Sequence, residues 1–216
     1  MAGLGYSDAR LGAAQAASQA FAQGKGLAGA ARAAIAATDS FFDRVRRALN
    51  LDEQVKRQAC AAGCAWCCHQ IVAVSAAELE LVSEAIAAKP PEARAAIAAR
   101  ARQAAAKGAG LEQRQWWTAR IRCPLLEDDG LCGIHEARPL PCRAHNSADA
   151  EACRRSYQGE AVRTPVLAAQ QGVWAHGQMG LLEALLKEKR PAEAMNLALA
   201  VDDLLRRSPA SSSADG

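Results

Sequence analysis

The sequence predicts a mainly α-helical protein whose helices pack around a small, irregular cysteine-rich centre with a short β-hairpin. Half of the 216 residues are hydrophobic, but much of that share is alanine, and only 4% of the residues are aromatic. Larger apolar residues recur at helical spacing on both sides of the cysteines. Between residues 121 and 145 this periodicity is lost, and three prolines exclude a regular helix there.

Composition divides the chain into three parts. Residues 1–37 are predicted to be an alanine-rich flexible arm, because they contain few large apolar side chains to bury. Residues 38–207 are predicted to form a single mainly helical domain, with the cysteine-cluster core at about residues 58–155. Residues 208–216, rich in serine and alanine, are predicted to be a disordered tail.

Helix signals flank the cysteines on both sides. Thr38 or Asp39 can cap a helix that carries apolar residues at helical spacing and runs toward Gln58. Ser75 and Glu78 have the spacing of a capping box, which predicts a helix over residues 76–88.

Proline and glycine mark the remaining elements. Pro91 can begin a helix that stops at Gly108, and Pro191 is expected to begin the last helix, over residues 191–207. A further helix is expected over residues 165–188. Residues 71–74 are expected to be extended, and Asp129-Gly130 is a hairpin-type turn signal.

The charge and the termini limit the partners. A formal charge of +3 with dispersed basic pairs does not indicate a nucleic-acid partner. The N-terminus has no signal-peptide pattern, and no stretch of eighteen apolar residues predicts a membrane span. We therefore expect a cytoplasmic protein without a membrane partner, in which the thiols stay reduced and hold metal rather than form disulfides.

The eight cysteines are the residues that carry chemistry. Four lie within nine residues, where their thiolate charges would repel unless a cation lay between them. Bound metal would also order a loop-rich region with few large apolar residues, because metal-binding free energy is folding free energy. The candidate metal ligands are Cys60, Cys64, Cys67, Cys68, Cys123, Cys132, Cys142 and Cys153.

The spacing leaves the number of centres and the metal open. Adjacent residues point in different directions, so Cys67 and Cys68 are not expected to serve one ion in the same way. Two centres, or one polynuclear centre with spare cysteines, would both explain eight thiols. The spacing favours an iron–sulfur cluster slightly over zinc, because the remote cysteines lack the paired knuckles of zinc ribbons.

Other polar residues are candidates for supporting roles. Arg138 and Arg143 flank Cys142 and are candidates to compensate the negative charge of a thiolate site. His69 and His145 are candidates for an additional ligand, and the alternative for each is a hydrogen-bonding role beside the site.

The cysteine motifs resemble a known family. "CAAGCAWCCH" followed by "CPLLEDDGLCGIHEARPLPCR" is similar to the YkgJ-type cysteine-cluster family, a zinc- or iron-chelating domain. The resemblance covers roughly residues 58–155 and implies metal chelation by eight cysteines. The common pattern has two residues between the first two cysteines, whereas three separate Cys60 from Cys64, so Cys60 is the least secure ligand.

Three functions are compatible with these residues. The first is a metal-binding protein that acts as carrier, sensor or module. The second is an iron–sulfur enzyme, an oxidoreductase or one using S-adenosylmethionine, since some relatives are labelled iron–sulfur oxidoreductases and a similar domain occurs in flagellin lysine methylases. The third is a structural zinc module in a protein–protein adaptor, with Trp116-Trp117 as a possible interface.

Overall fold

The computed structural model describes residues 4–207 and is mainly α-helical, as the sequence predicts. The predicted tail at 208–216 lies outside the described residues. None of the helices within residues 4–207 is both long and apolar enough to cross a membrane. The α-helices are α1 (Tyr6–Ala22), α2 (Gly26–Ala48), α3 (Asp52–Lys56), α4 (Ala76–Ala87), α5 (Pro91–Gly108), α6 (Gln113–Thr118), α7 (Leu140–Ala144), α8 (Ala150–Tyr157), α9 (Ala168–Lys187) and α10 (Leu197–Arg207).

The N-terminal segment packs into the main core. Helix α1 packs against α2 and α9, and it buries Ala9, Ala13, Ala17 and Ala20 along one face. These side chains are small enough for the helices to approach closely: a Cβ added to Gly180 on α9 would lie 2.1 Å from a backbone oxygen of α1.

This packing differs from the flexible arm expected over residues 1–37. Within that segment, residues 6–22 are helical, and α2 begins at Gly26 and continues through the expected domain boundary. Few large apolar side chains lie in this segment, but its helices bury small side chains at close range instead.

A second apolar cluster supports the cysteine-rich segment. Helix α10 packs against α5 and α4, and this cluster includes Val82, Ile97 and Val201. Leu125 and Ile134 from the irregular segment belong to the same cluster, and Cys123, Cys132 and Cys142 pack against it while remaining partly exposed. The cysteine-rich loops are thus attached to a helical layer.

The extended segments pair across a long sequence distance. Strand β1 (Ala73–Val74) pairs antiparallel with β2 (Met195–Asn196). The last helix therefore begins at Leu197 and not at Pro191 as expected, because residues 195–196 form strand β2 and pair with β1. The turn at Asp129-Gly130 closes a single antiparallel bridge between Leu126 and Cys132.

The capping box is formed as expected. Glu78 N–H donates to Ser75 Oγ at 3.3 Å, and Ser75 N–H donates to Glu78 Oε2 at 2.9 Å, at the start of α4. Glu78 is fully buried, and its Oε1 also accepts a hydrogen bond from Leu140 N–H at 2.9 Å. One carboxylate therefore joins the N-termini of α4 and α7, and α7 carries Cys142.

Candidate metal centre

The first cysteine motif forms a tight loop between α3 and β1. Cys60 and Cys64 lie in irregular backbone, and Cys67 and Cys68 lie in a 3-10 helix, Trp66–His69. Gly63 has a φ of 86°, a left-handed conformation that favours glycine, and Cys64 N–H donates to Ala61 O at 3.0 Å to close the turn. Short gaps between the cysteines thus wrap the chain around one region.

The second motif is tied to the first through the backbone. Cys123 N–H donates to Cys68 O at 2.8 Å. The following turn contains Gly130, with a φ of 83°, and a Cβ placed there would lie 3.1 Å from Gly63 O. The Cys132 turn therefore lies directly against the first cysteine loop.

Helix α8 brings Cys153 to the other side of the first loop. Tyr157, one turn after Cys153 on the same helix, has its ring 5.3 Å from that of Trp66 and 4.7 Å from that of His69. Just before α8, Ser147 N–H donates to Cys60 Sγ at 3.2 Å. These contacts place the Cys153 face of α8 toward the 3-10 helix.

All eight cysteines are free thiols, and all line two adjoining cavities. The larger cavity has a volume of about 620 Å³ and the smaller about 520 Å³. Cys153 lines only the smaller cavity. Three cysteines line both cavities: Cys60, Cys64 and Cys67. The larger cavity alone is lined by Cys68, Cys123, Cys132 and Cys142.

The thiols line the cavities but are too far apart to form a complete coordination geometry around one metal ion. Over the described residues 4–207, no three His, Cys, Asp or Glu side chains lie close enough together to hold a metal ion as they are placed. Zinc–sulfur bonds are about 2.3 Å long, so binding would have to draw the sulfurs inward. The ligand set stays a prediction, and its donor chemistry fits a thiophilic metal.

Burial favours the neutral form of several of the thiols. Burial raises the pKa of Cys123 to about 11 and raises that of Cys142 well above its usual value. A hydrogen bond with the Cys68 thiol, followed by burial, raises the pKa of Cys67. Burial, followed by repulsion from other thiolates, also raises the pKa of Cys60. A cation within the cavities would reverse this preference for the neutral thiols.

Arg138 is a nearby cation that acts on three of the sulfurs. It lines the larger cavity, and its charge opposes the pKa increase of Cys67, Cys132 and Cys142. Arg143 also lines that cavity, but its guanidinium donates to the Glu136 and Arg138 carbonyls at 2.7 and 2.9 Å. Arg143 therefore holds the loop that carries Arg138.

The two candidate histidines have different surroundings. His69 Nδ1 lies 3.2 Å from Ala65 O, and the ring packs against Tyr157, so His69 has a structural contact on both sides. His145 lines both cavities, and burial lowers its pKa, which favours the neutral imidazole that binds metals. His145 is the histidine better placed to reach a bound metal.

Three features of the site were missed by sequence reasoning. These are the Ser147 N–H on Cys60, the aromatic contacts of Tyr157, and the link from Glu78 to α7. The spacing of Cys153 and Tyr157, four residues apart and so on one helical face, is the signal that would have indicated the second feature. The other two join residues more than sixty positions apart and leave no local signal.

A helical domain with eight free cysteines around adjoining cavities has the donor set of a thiolate metal-binding domain. Residues 59–162 match the family model CxxCxxCC, described as a "putative zinc- or iron-chelating domain", and this segment contains all eight cysteines. This match over residues 59–162 confirms the resemblance indicated by the motifs. No curated protein and no solved structure gives a significant match.

Proposed function

We propose that this protein binds metal through the eight cysteines of its CxxCxxCC domain, with an iron–sulfur cluster as the preferred cargo and zinc as the alternative. The observation that carries the proposal is that cysteines from three separate segments line two adjoining cavities, all as free thiols. Thiolates bind both zinc and iron–sulfur clusters strongly.

The walls of the cavities suit an anionic centre. A metal or cluster with four thiolates carries about −2 in total. Among the described residues, the linings of both cavities contain no Asp or Glu, whereas Arg138 lines the larger cavity and Arg114 the smaller. Positive charge at the wall lowers the cost of keeping several thiolates together.

Support for iron comes from the arrangement of the ligands along the chain. Three closely spaced cysteines followed by isolated ones differ from the paired knuckles of zinc ribbons. The enzymatic alternative with S-adenosylmethionine would require alternating strands and helices, whereas the strands described within residues 4–207 are two residues long. We therefore propose metal binding, in the cytoplasm, over turnover of S-adenosylmethionine.

The identity of the metal is tested on protein purified without oxygen. We expect iron, acid-labile sulfide and the broad visible absorption of an iron–sulfur cluster. Zinc without sulfide would contradict the preference for iron while retaining metal binding. Release of 5′-deoxyadenosine from S-adenosylmethionine by the reduced protein would contradict the non-enzymatic role.

The ligand role is tested with paired variants. We expect Cys67→Ser to lose more metal than Cys60→Ser, because Cys67 lies in an ordered 3-10 helix whereas Cys60 is exposed in irregular backbone. Ser156→Ala, which changes a cavity-lining residue that is not a thiol, is the control and should retain all metal. Full metal retention by both cysteine variants would contradict the ligand assignment.

A further inference from the structure

We propose that the domain holds two separate metal centres of four thiolates each, which meet at the adjacent residues Cys67 and Cys68. The inference rests on the proposed metal binding and adds how many ions or clusters are bound and by which sulfurs. The first centre would be formed by Cys60, Cys64, Cys67 and Cys153, and the second centre by Cys68, Cys123, Cys132 and Cys142.

The two cavities share three cysteines and differ in the other five. Cys153 lines only the smaller cavity, together with three cysteines of the first loop. Four other cysteines line only the larger cavity. Four thiolates complete a structural zinc site or a four-iron cluster, so the four that belong to the larger cavity alone already make a full ligand set. The remaining four then make a second full set around the smaller cavity.

The adjacent residues Cys67 and Cys68 belong to different ligand sets. Cys67 and Cys68 are consecutive in a 3-10 helix, and the hydrogen bond between their thiols places the two sulfurs side by side. Cys67 lines both cavities and Cys68 only the larger one. Because Cys67 also reaches the smaller cavity and Cys68 does not, two neighbouring sulfurs can each serve a different centre, and this explains why a CC pair is useful.

The second centre has a continuous framework. Cys123 N–H donates to Cys68 O at 2.8 Å, and Cys132 closes the antiparallel bridge with Leu126. Cys123, Cys132 and Cys142 all pack against the same buried apolar cluster. These contacts hold the four sulfur-bearing backbones on one side of the domain.

The first centre has a framework of its own. Ser147 N–H donates to Cys60 Sγ, as an amide does to a metal thiolate. The Tyr157 ring packs against Trp66 next to Cys67 and holds α8, and with it Cys153, against the first loop. None of these contacts involves a residue of the second centre.

The division is tested by anaerobic titration of the metal-free full-length protein with Co²⁺, which gives intense sulfur-to-metal absorption in thiolate sites. We expect two equivalents for the unmodified chain, one for Cys153→Ala, one for Cys132→Ala and none at high affinity for the double variant. Ser156→Ala, on the same helix as Cys153, is the control and should bind two. Circular dichroism verifies that the helices remain folded.

Each outcome has one interpretation. A single equivalent in the unmodified chain, or loss of all binding in either single variant, would overturn the division into two centres while leaving metal binding intact. No binding by the unmodified chain would instead contradict the proposed function. If Cys132→Ala does not fold, Cys68→Ala tests the same centre and should bind one equivalent, as Cys67→Ala should for the first centre.

Discussion

The buried carboxylate of Glu78 provides a sharp test of how the cysteine-bearing helix α7 is attached. Its Oε2 accepts from Ser75 N–H and Ser75 Oγ–H, both at 2.9 Å, and its Oε1 accepts from Leu140 N–H at 2.9 Å. Gln178 Nε2 lies 3.5 Å from Oε2. Replacement by glutamine keeps the size of the side chain but leaves a single acceptor oxygen.

Two physical effects oppose each other in Glu78→Gln. Burial raises the pKa of Glu78, so removal of the charge relieves a desolvation cost. The amide, however, must turn its NH₂ toward either Ser75 N–H or Leu140 N–H, and a buried donor left without an acceptor costs about 1–3 kcal/mol. Because several donors converge on the carboxylate, we expect net destabilisation of about 1–3 kcal/mol.

The assay is thermal unfolding of the metal-loaded protein followed by circular dichroism. At roughly 2–4 °C per kcal/mol for a chain of this size, Tm should fall by about 2–12 °C. Glu92→Gln, an exposed acidic residue in the first turn of α5, is the control and should cost about 0.3–1 kcal/mol. An increase in Tm for Glu78→Gln would show that desolvation dominates and would refute the reasoning.

Three further predictions follow from packing and from the thiols. Gly180→Ala should lower the free energy of unfolding by about 1–3 kcal/mol, because the added Cβ would clash with α1. Gly12→Ala, which has open space around it, should raise the free energy of unfolding by about 0.5–1 kcal/mol. Equal shifts of the two variants in urea denaturation would contradict the packing of α1. Tyr157→Ala should weaken Co²⁺ binding at the first centre while Tyr157→Phe retains it, and equal titrations would contradict the docking of α8. Zinc affinity should increase from pH 6 to pH 8, because raised thiol pKa values mean that the metal displaces protons; a chelator competition without pH dependence would contradict this.

The parts of the fold that follow from local signals were predictable. Ser75 and Glu78 fix the start of α4 through neighbours three residues apart, and the Asp129-Gly130 turn is formed where its sequence indicates. Helix α5 begins at Pro91 and ends at Gly108, at the residues that mark it in the sequence. Each of these features depends on contacts within a few residues, which a single sequence contains.

The parts that depend on distant partners were not predictable. The alanines of α1 by themselves predict little buried surface. They are buried because Gly180 allows α9 to approach the backbone of α1 closely. The start of α10 depends on pairing between β1 and β2, more than 120 residues apart. At the site, the motifs identify the cysteines, but the position of Cys153 relative to the first loop depends on contacts of α8 that the spacing does not contain.

The most direct test of metal binding by the cysteines is the metal content of full-length protein isolated under protection from oxygen, measured by elemental analysis. We predict at least one equivalent of bound iron or zinc per chain, lost together with the order of the cysteine loops when a strong chelator is added. Protein that is free of metal as isolated, with all thiols reduced and the complete fold retained, would contradict the proposal.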